Sequence, residues 1–325
     1  MTPRTKRLFA AVCLLSALTT ACGPAGAPRE TGRDGGSGPA ASPVPRPRSA
    51  ADFVVPLQRY ELTSRQYAQV QRARMAAVRQ CMRRYGITLA TPAIREVRRP
   101  HVPALVGWLG DRNPSRYGYR GPAGFQADRY ASAARGGTKA LFVPDRYGGV
   151  YEGSAGVFAG RPVPPGGCHG EVMRRLDQSG EAFRAALEDR AIVPWKALAD
   201  IEGEAARRVA SDHRYRQAEQ HWRACMKRSG HPYATPADAE GDPRWAGSVS
   251  VTEEEPERPV SRAEIAVAVA DESCREEVNL PGVALALHIA YQKEAIDADA
   301  TRLDRVKRLL DVQLGNSADI LGAAS

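Results

Sequence analysis

The same thirteen-residue pattern occurs twice in this chain, as CMRRYGITLATPA at 81–93 and CMKRSGHPYATPA at 225–237, with eight identities and no gap. A copied Cys-Met, a copied Gly and a copied Ala-Thr-Pro-Ala restrict the fold to two related units, each with one cysteine in the same place. Six cysteines are present. Cys13 lies in an apolar leader and Cys22 at its exit, so Cys81, Cys168, Cys225 and Cys274 remain. An even number of cysteines outside the cytoplasm reads as disulfides. The repeat chooses among the three pairings that four cysteines allow. Cys81 and Cys225 are equivalent, and the other two share a setting: GGCHGEV around Cys168 and ESCREEV around Cys274, each read as standing just before an acidic helix start. The expected bonds are Cys81–Cys168 and Cys225–Cys274. The alternative is a zinc site or a reactive thiol. Zinc sites use spacings such as CxxC or paired histidines on a helix, which are absent here, and the adjacency of Cys168 and His169 makes no thiolate–imidazole pair by itself.

The leader defines where the chain goes. Arg4, Lys6 and Arg7 precede about fourteen apolar or small residues, Leu8 to Ala21. A membrane-spanning helix needs about 20, so the run reads as a secretory signal peptide, 1–21. The exit, Leu18-Thr19-Thr20-Ala21-Cys22-Gly23, resembles the lipobox of bacterial lipoproteins, with Thr19 where Leu is usual. That resemblance implies a lipidated Cys22, carrying acyl chains such as palmitate. The alternative is an ordinary secreted protein cut near Ala21. Residues 22–55 are Gly-, Pro-, Ser- and Ala-rich and read as a disordered tether. The expected location is the extracytoplasmic face of the cell membrane, lipid-anchored.

Helical signals dominate the rest. Thr63 or Ser64 caps a helix whose apolar stripe is Tyr67, Val70, Met75, Val78, Cys81 and Met82, and Gly86 stops it. Asp212 caps a second helix with a stripe of Tyr215, Ala218, Trp222, Cys225 and Met226, ending at Gly230. In both copies the Pro of ATP is read as a turn after the helix. Ser261-Arg262-Ala263-Glu264 reads as a capping box. From Val283 a stripe through Leu287, Tyr291, Ile296, Leu303, Val306, Leu310 and Leu314 predicts one helix of over thirty residues, about 45 Å long, packed on the 171–210 helices. The fold class is therefore mainly α: a first helical repeat over 56–193, a second with the C-terminal helix over 194–321, and a tail, 322–325. Residues 94–167 form an irregular Gly/Tyr-rich insertion in which ALFV and GVYEG are candidate strands.

No strong catalytic or metal motif is present: HExxH, the phosphate loop GxxxxGK[ST], the EF-hand loop and GxGxxG after a strand are all missing, and EGSAG is not a nucleophile elbow. No cofactor or metal is expected. The insertion supplies the candidate binding residues Arg112, Tyr117, Tyr119, Arg120, Tyr130, Arg146, Tyr147 and Tyr151, residue types that favour interfaces. The bland alternative is that Tyr and Arg pack over an irregular loop and brace it. Net charge is +9, and three of the positives lie in the leader with no acid, which leaves about +6 on the exported body. That excess suits anionic lipid heads or wall polymers, and export excludes nucleic acid as the partner.

The paired pattern W-x-x-CM-x-x-x-G-x-x-x-ATP, with RYGY at 116–119, PPGGC at 164–168, DHRYR at 212–216, DPRW, and AYQK at 290–293, resembles an uncharacterised family of secreted and lipoprotein chains of actinomycetes. The resemblance spans about residues 58–315 and carries over no activity and no catalytic residue. Cys81-Met82-Arg83 through Gly86 is also similar to a motif of short exported proteins often encoded beside ABC exporters. The leading expectation is a non-enzymatic lipoprotein that binds or assists an envelope partner: a transporter, an envelope enzyme or wall polymer. The alternatives are a wall-acting enzyme with its site in 96–167, and a solute-binding receptor, for which the chain offers few strands.

Overall fold

The computed structural model describes residues 43–90, 94, 102–122, 125, 143–177, 194–245 and 259–323. The leader, Cys22, the tether up to residue 42, Tyr130, residues 140–142 of ALFV, the helix expected beyond Asp177 and the acidic run 252–257 lie outside the described residues. Among those described the chain is mainly α. The long helices are α1 (Ser64–Arg83), α2 (Gly167–Asp177), α3 (Pro194–Ser211), α4 (His213–Arg228), α5 (Arg262–Glu277), α6 (Leu280–Ala298) and α7 (Ala300–Gly322). The strands among the described residues are a two-residue antiparallel pair, β1 (Val157–Phe158) and β2 (Arg161–Pro162), with Val157 opposite Pro162.

The two copies of the motif fold alike. Helix α1 starts from a reciprocal capping box in which Thr63 Oγ1 accepts from Gln66 N (3.3 Å) and Gln66 Oε1 accepts from Thr63 N (2.9 Å). It buries Val70, Met75, Val78, Cys81 and Met82 as the spacing predicts, with Tyr67 half-buried. Asp212 caps α4, accepting from Arg214 N at 2.8 Å, and α4 buries Ala218, Trp222, Cys225 and Met226. Both helices end in the same left-handed turn: Gly86 at φ +75° and Gly230 at φ +81°. Ile87 N donates back to Met82 O, and His231 N to Met226 O, the bond that closes a Schellman turn. A Cβ on either glycine would touch nothing within 4 Å, so the backbone conformation alone calls for Gly.

The two disulfides are Cys81–Cys168 and Cys225–Cys274, each with 5.6 Å between Cα atoms. The setting of their partners differs from the sequence expectation. Cys168 is the second residue of α2, at a helix start. Cys274 sits near the C-terminal end of α5. Their common Cys-x-x-Glu has another cause. Glu171 and Glu277, one turn past their cysteines, pair with Arg84 and Arg228, one turn past the partner cysteines. These pairs are partly to well exposed, and such pairs contribute about 0–1 kcal/mol each, so the covalent bonds carry the clamping.

The Ala-Thr-Pro of the second copy starts a helix instead of merely turning the chain. Thr235 Oγ1 accepts from Asp238 N at 3.1 Å, and Pro236 takes the first position of the short helix Pro236–Glu240, where its missing N–H costs nothing. GVYEG is also not a strand. Its backbone closes locally, Gly153 N to Gly149 O, as the helical turn Gly148–Glu152. The small hairpin is held by Tyr85, whose ring meets Phe158 edge-on and whose hydroxyl donates to Pro162 O at 2.8 Å.

The C-terminal stretch is two helices. Asp299 leaves helical geometry (φ −136°) between α6 and α7 and pairs with Arg302, in keeping with the preference of Asp for helix ends. α6 packs on α3 and α4. α7 packs most closely on α1, and also on α2 and α3, so the end of the second repeat closes the core of the first around Met82, Val172, Leu176 and Ile320. The converse also holds: residues 102–122, inside the first disulfide loop, lie on the second unit, with Pro114–Tyr117 against α5.

The expected tether 22–55 is too long at its C-terminal end. Phe53 and Val55 are buried with Val209, Leu285 and Tyr291, and Phe53 packs on Trp108 at 5.1 Å between rings. Phe53 and Val55, the two inward members of Phe53-Val54-Val55, are what bring this end down, while Val54 between them stays exposed. Further upstream, Pro45 O accepts from Asn279 Nδ2 at 2.8 Å, and a Cβ on Gly282 would lie 2.0 Å from the same oxygen. Gly282→Ala would gain up to about 1 kcal/mol of helix propensity, yet it is expected to dislodge this strap. Faster proteolysis and amide exchange at residues 43–48, with helical content unchanged, would register that outcome.

A candidate ligand cavity over Arg112

The second unit contains a buried polar network that begins on α5. Ser261 Oγ accepts from Glu264 N at 3.0 Å, but the reciprocal half of the expected capping box is missing. The Glu264 carboxylate turns inward and accepts from Tyr119 N at 3.1 Å, tying residues 102–122 to the helix start. Burial raises the Glu264 pKa. Two turns on, Asp271 is 0% exposed. Its Oδ1 accepts from Trp222 Nε1 (2.8 Å) and Arg275 Nε (2.7 Å). Its Oδ2 accepts from Arg275 Nη2 (2.8 Å) and Tyr119 OH (3.0 Å). Four bonds fill the acceptor capacity of a carboxylate. Burial, reinforced by Asp271, pushes the Tyr119 phenol well above its ordinary pKa, so it stays a donor.

From Asp271 the network runs outward. Arg275 Nη2 also donates to Glu240 Oε1 (3.1 Å), and Arg275 Nη1 to Gly107 O. Glu240 Oε2 accepts from Arg112 Nη1 (2.9 Å), which also reaches Tyr119 O (3.2 Å). Trp245 stacks on Tyr119 and donates to Ala239 O at 3.0 Å, bracing the short helix that carries Glu240.

Beside this network lies a half-open cavity of about 570 Å³. Leu105, Val106, Val209 and Ala284 give it apolar walls, and Arg112, Tyr119, Glu240, Arg275 and His288 give it polar ones. The size falls within the roughly 300–1,000 Å³ usual for small-molecule sites. Two of its lining residues are buried and incompletely matched. Arg112 is 1% exposed, and its Nε and Nη2 have no hydrogen-bond partner. His288 is 2% exposed, and its Nδ1 has none. An unmatched buried polar group costs about 1–3 kcal/mol, so these orphans mark a place that is incomplete in itself.

Burial holds His288 neutral, with its pKa lowered from 6.5 to about 4. Below pH 6.5 the unfolded chain takes up a proton that the folded chain refuses. The stability that His288 contributes therefore falls as pH drops from 6.5 to about 4, by about 3 kcal/mol. His288→Asn should flatten the slope in this window in urea titrations, whatever it does to stability at neutral pH. Asp212, held well below the ordinary carboxylate range chiefly by the Arg214 guanidinium, stays charged through that window. His169, also lowered by burial and by Arg74, contributes equally in both chains.

The residues nominated from sequence do not form one groove. Arg112 and Tyr119 enter the network just described, and the Arg120 backbone joins Tyr119 at Glu264. Tyr117 lies under Arg116, 5.0 Å from guanidinium carbon to ring centre. Arg146, Tyr147 and Tyr151 belong to the first unit instead. Arg146 covers Tyr147, Tyr147 meets Phe158, and Tyr151 lies against His169. Glu240, Asp271, Arg275 and His288 were not nominated. The one available signal was Asp271-x-x-x-Arg275, a spacing that ordinarily marks a solvated surface pair.

Among the described residues no three His, Cys, Asp or Glu side chains are grouped to hold a metal, and no helix is long and apolar enough to cross a membrane. No protein-family model matches the chain, and no curated protein or solved structure matches it.

Proposed function

We propose that this chain is a non-enzymatic binding or accessory protein of the envelope, a lipoprotein held through Cys22 on the extracytoplasmic face of the cell membrane. The observation that carries the binding part is the cavity over Arg112: apolar walls, a buried cation with unmatched donors, and a carboxylate, Glu240, already engaged by two guanidinium groups. Two disulfides support an oxidising, extracytoplasmic setting. The anchor rests on the lipobox-like run ending at Cys22. A protein tethered in this way can present the occupied cavity to a transporter, an envelope enzyme or wall polymer.

Fractionation and in-cell crosslinking test this reading. The wild-type chain should sediment with membranes and crosslink reproducibly to one envelope component, and Cys22→Ala should release the chain and abolish that crosslink. Retention of Cys22→Ala on the membrane would refute the anchor. Hydrolysis of wall material by the purified chain would replace the binding reading with the enzymatic one.

A further inference from the structure

We infer that a linear polyanion, with a phosphate at each repeat, docks along a row of arginines on α1. This rests on the reading of the chain as an envelope binding protein and names the partner of a second surface, on the first unit. Helix α1 holds five arginines and no acid, whereas each of the other six long helices carries at least one acid. At 3.6 residues per turn, Arg65, Arg72, Arg79 and Arg83 fall within a sector of about 40° and form a row about 27 Å long. Arg65, Arg72 and Arg83 are exposed and Arg79 is half-buried, and none of the four is ion-paired with a described residue. The charged faces of α3 and α7 instead pair theirs within one turn, Lys196 with Asp200 and Lys307 with Asp311. Helix stability explains part of the row, since Arg79 and Arg83 suit the negative end of the helix dipole. It does not explain Arg65 in the first turn, where a cation is unfavourable, or Arg72, which has no acid three or four residues away. The shape selects a thread over a sheet. The row is one guanidinium wide, and α7, packed on α1, exposes Asp304, Asp311 and Asp319. An anionic plane broad enough to rest on both helices would meet those carboxylates, and no large apolar residue of α1 is exposed to enter a bilayer. A chain that follows α1 can set one phosphate against each arginine, and the guanidinium fork grips phosphate oxygens in pairs.

Calorimetric titration at pH 7 tests this, with long-chain polyphosphate, inorganic phosphate, and vesicles of phosphatidylglycerol in phosphatidylcholine as probes. The full chain carries Cys22→Ala throughout, so that no anchor contributes. Polyphosphate should bind, and its affinity should fall with salt at a log–log slope of about −3, as four neutralised anions require. Inorganic phosphate should not bind. Arg65→Gln with Arg72→Gln should flatten that slope by about 2 and weaken polyphosphate by about tenfold. Both positions are exposed, so the helical spectrum and melting temperature should not change. Arg216→Gln with Arg262→Gln removes the same charge from exposed positions on α4 and α5, and should change affinity by less than about twofold, because screening confines the effect to groups near the polymer. No polyphosphate binding, binding no tighter than that of inorganic phosphate, or equal losses in the two double variants would each overturn the assignment. Tighter binding to the vesicles, with the same dependence on Arg65 and Arg72, would overturn it in favour of a lipid surface. A failed titration beside an intact in-cell crosslink would remove the polymer and leave the binding reading standing.

Discussion

Asp271→Ala should destabilise the chain by about 3–5 kcal/mol, the usual cost of stripping one partner from a buried ion pair. The side chain is completely enclosed and accepts four hydrogen bonds. Its removal takes the acceptor from the Trp222 indole and one from the Tyr119 hydroxyl. It also leaves the buried Arg275 with Glu240 as its one carboxylate, and Glu240 is shared with Arg112. Asp271→Asn should cost nearly as much. The amide keeps the shape but turns two donors toward groups that are themselves donors. Urea denaturation at pH 7 measures both. A loss under about 1 kcal/mol, the size of an exposed pair, would mean that the network is not enclosed as described.

Loss of either disulfide should be comparably severe. The bonds close loops with sequence separations of 87 and 49 residues. Chain entropy assigns about 4.6 and 4.1 kcal/mol to them as upper values, against a typical total of about 5–15. Cys81→Ser with Cys168→Ser, and Cys225→Ser with Cys274→Ser, should each lower the urea midpoint by amounts in that order. Their effects on the cavity should differ. Between α4 and α5 a constant offset of 49 residues links three successive rungs: Trp222 to Asp271, the disulfide, and Arg228 to Glu277. The disulfide therefore sits one helical turn from the network and sets the spacing at which Trp222 meets Asp271. In the first unit the offset of 87 recurs at the disulfide and at Arg84 with Glu171. One turn earlier stand Val78 and Pro165, which make no such contact. Cutting the second bond should loosen the cavity, and cutting the first should spare it. Amide exchange around the cavity, compared between the two double variants, separates these effects.

The parts of this fold that sequence exposes are those written in repeats and in backbone chemistry. Cys81 and Cys225 have the same neighbours, so equivalence picked the disulfide pairing even though Cys274 sits at the opposite end of its helix from Cys168. Gly86 and Gly230 follow helices whose stripes are plain, so both stops could be read. The site was less legible because its charges imitate surface. Asp271 and Arg275 are spaced like a solvated pair, and Glu240 ends a short capped Pro helix with no apolar stripe. His288 sits in an almost wholly apolar run, where a histidine reads as filler. Arg112 was nominated for its residue type, but its carboxylate partner, Glu240, comes from the second unit, more than a hundred residues away, and no local pattern records such a crossing. Phe53 misled in the other direction: a Pro- and Ser-rich approach concealed a residue that anchors the strap.

A binding cavity beside Arg112 should leave the cell occupied. Native mass spectrometry of the full-length chain, purified gently from its own envelope, tests this most directly. One extra small mass per chain is expected, released on unfolding and missing from Ala210→Trp, a substitution at the exposed cavity rim. A wild-type mass identical to that of the unfolded chain, and indistinguishable in occupancy from the blocked variant, would contradict it.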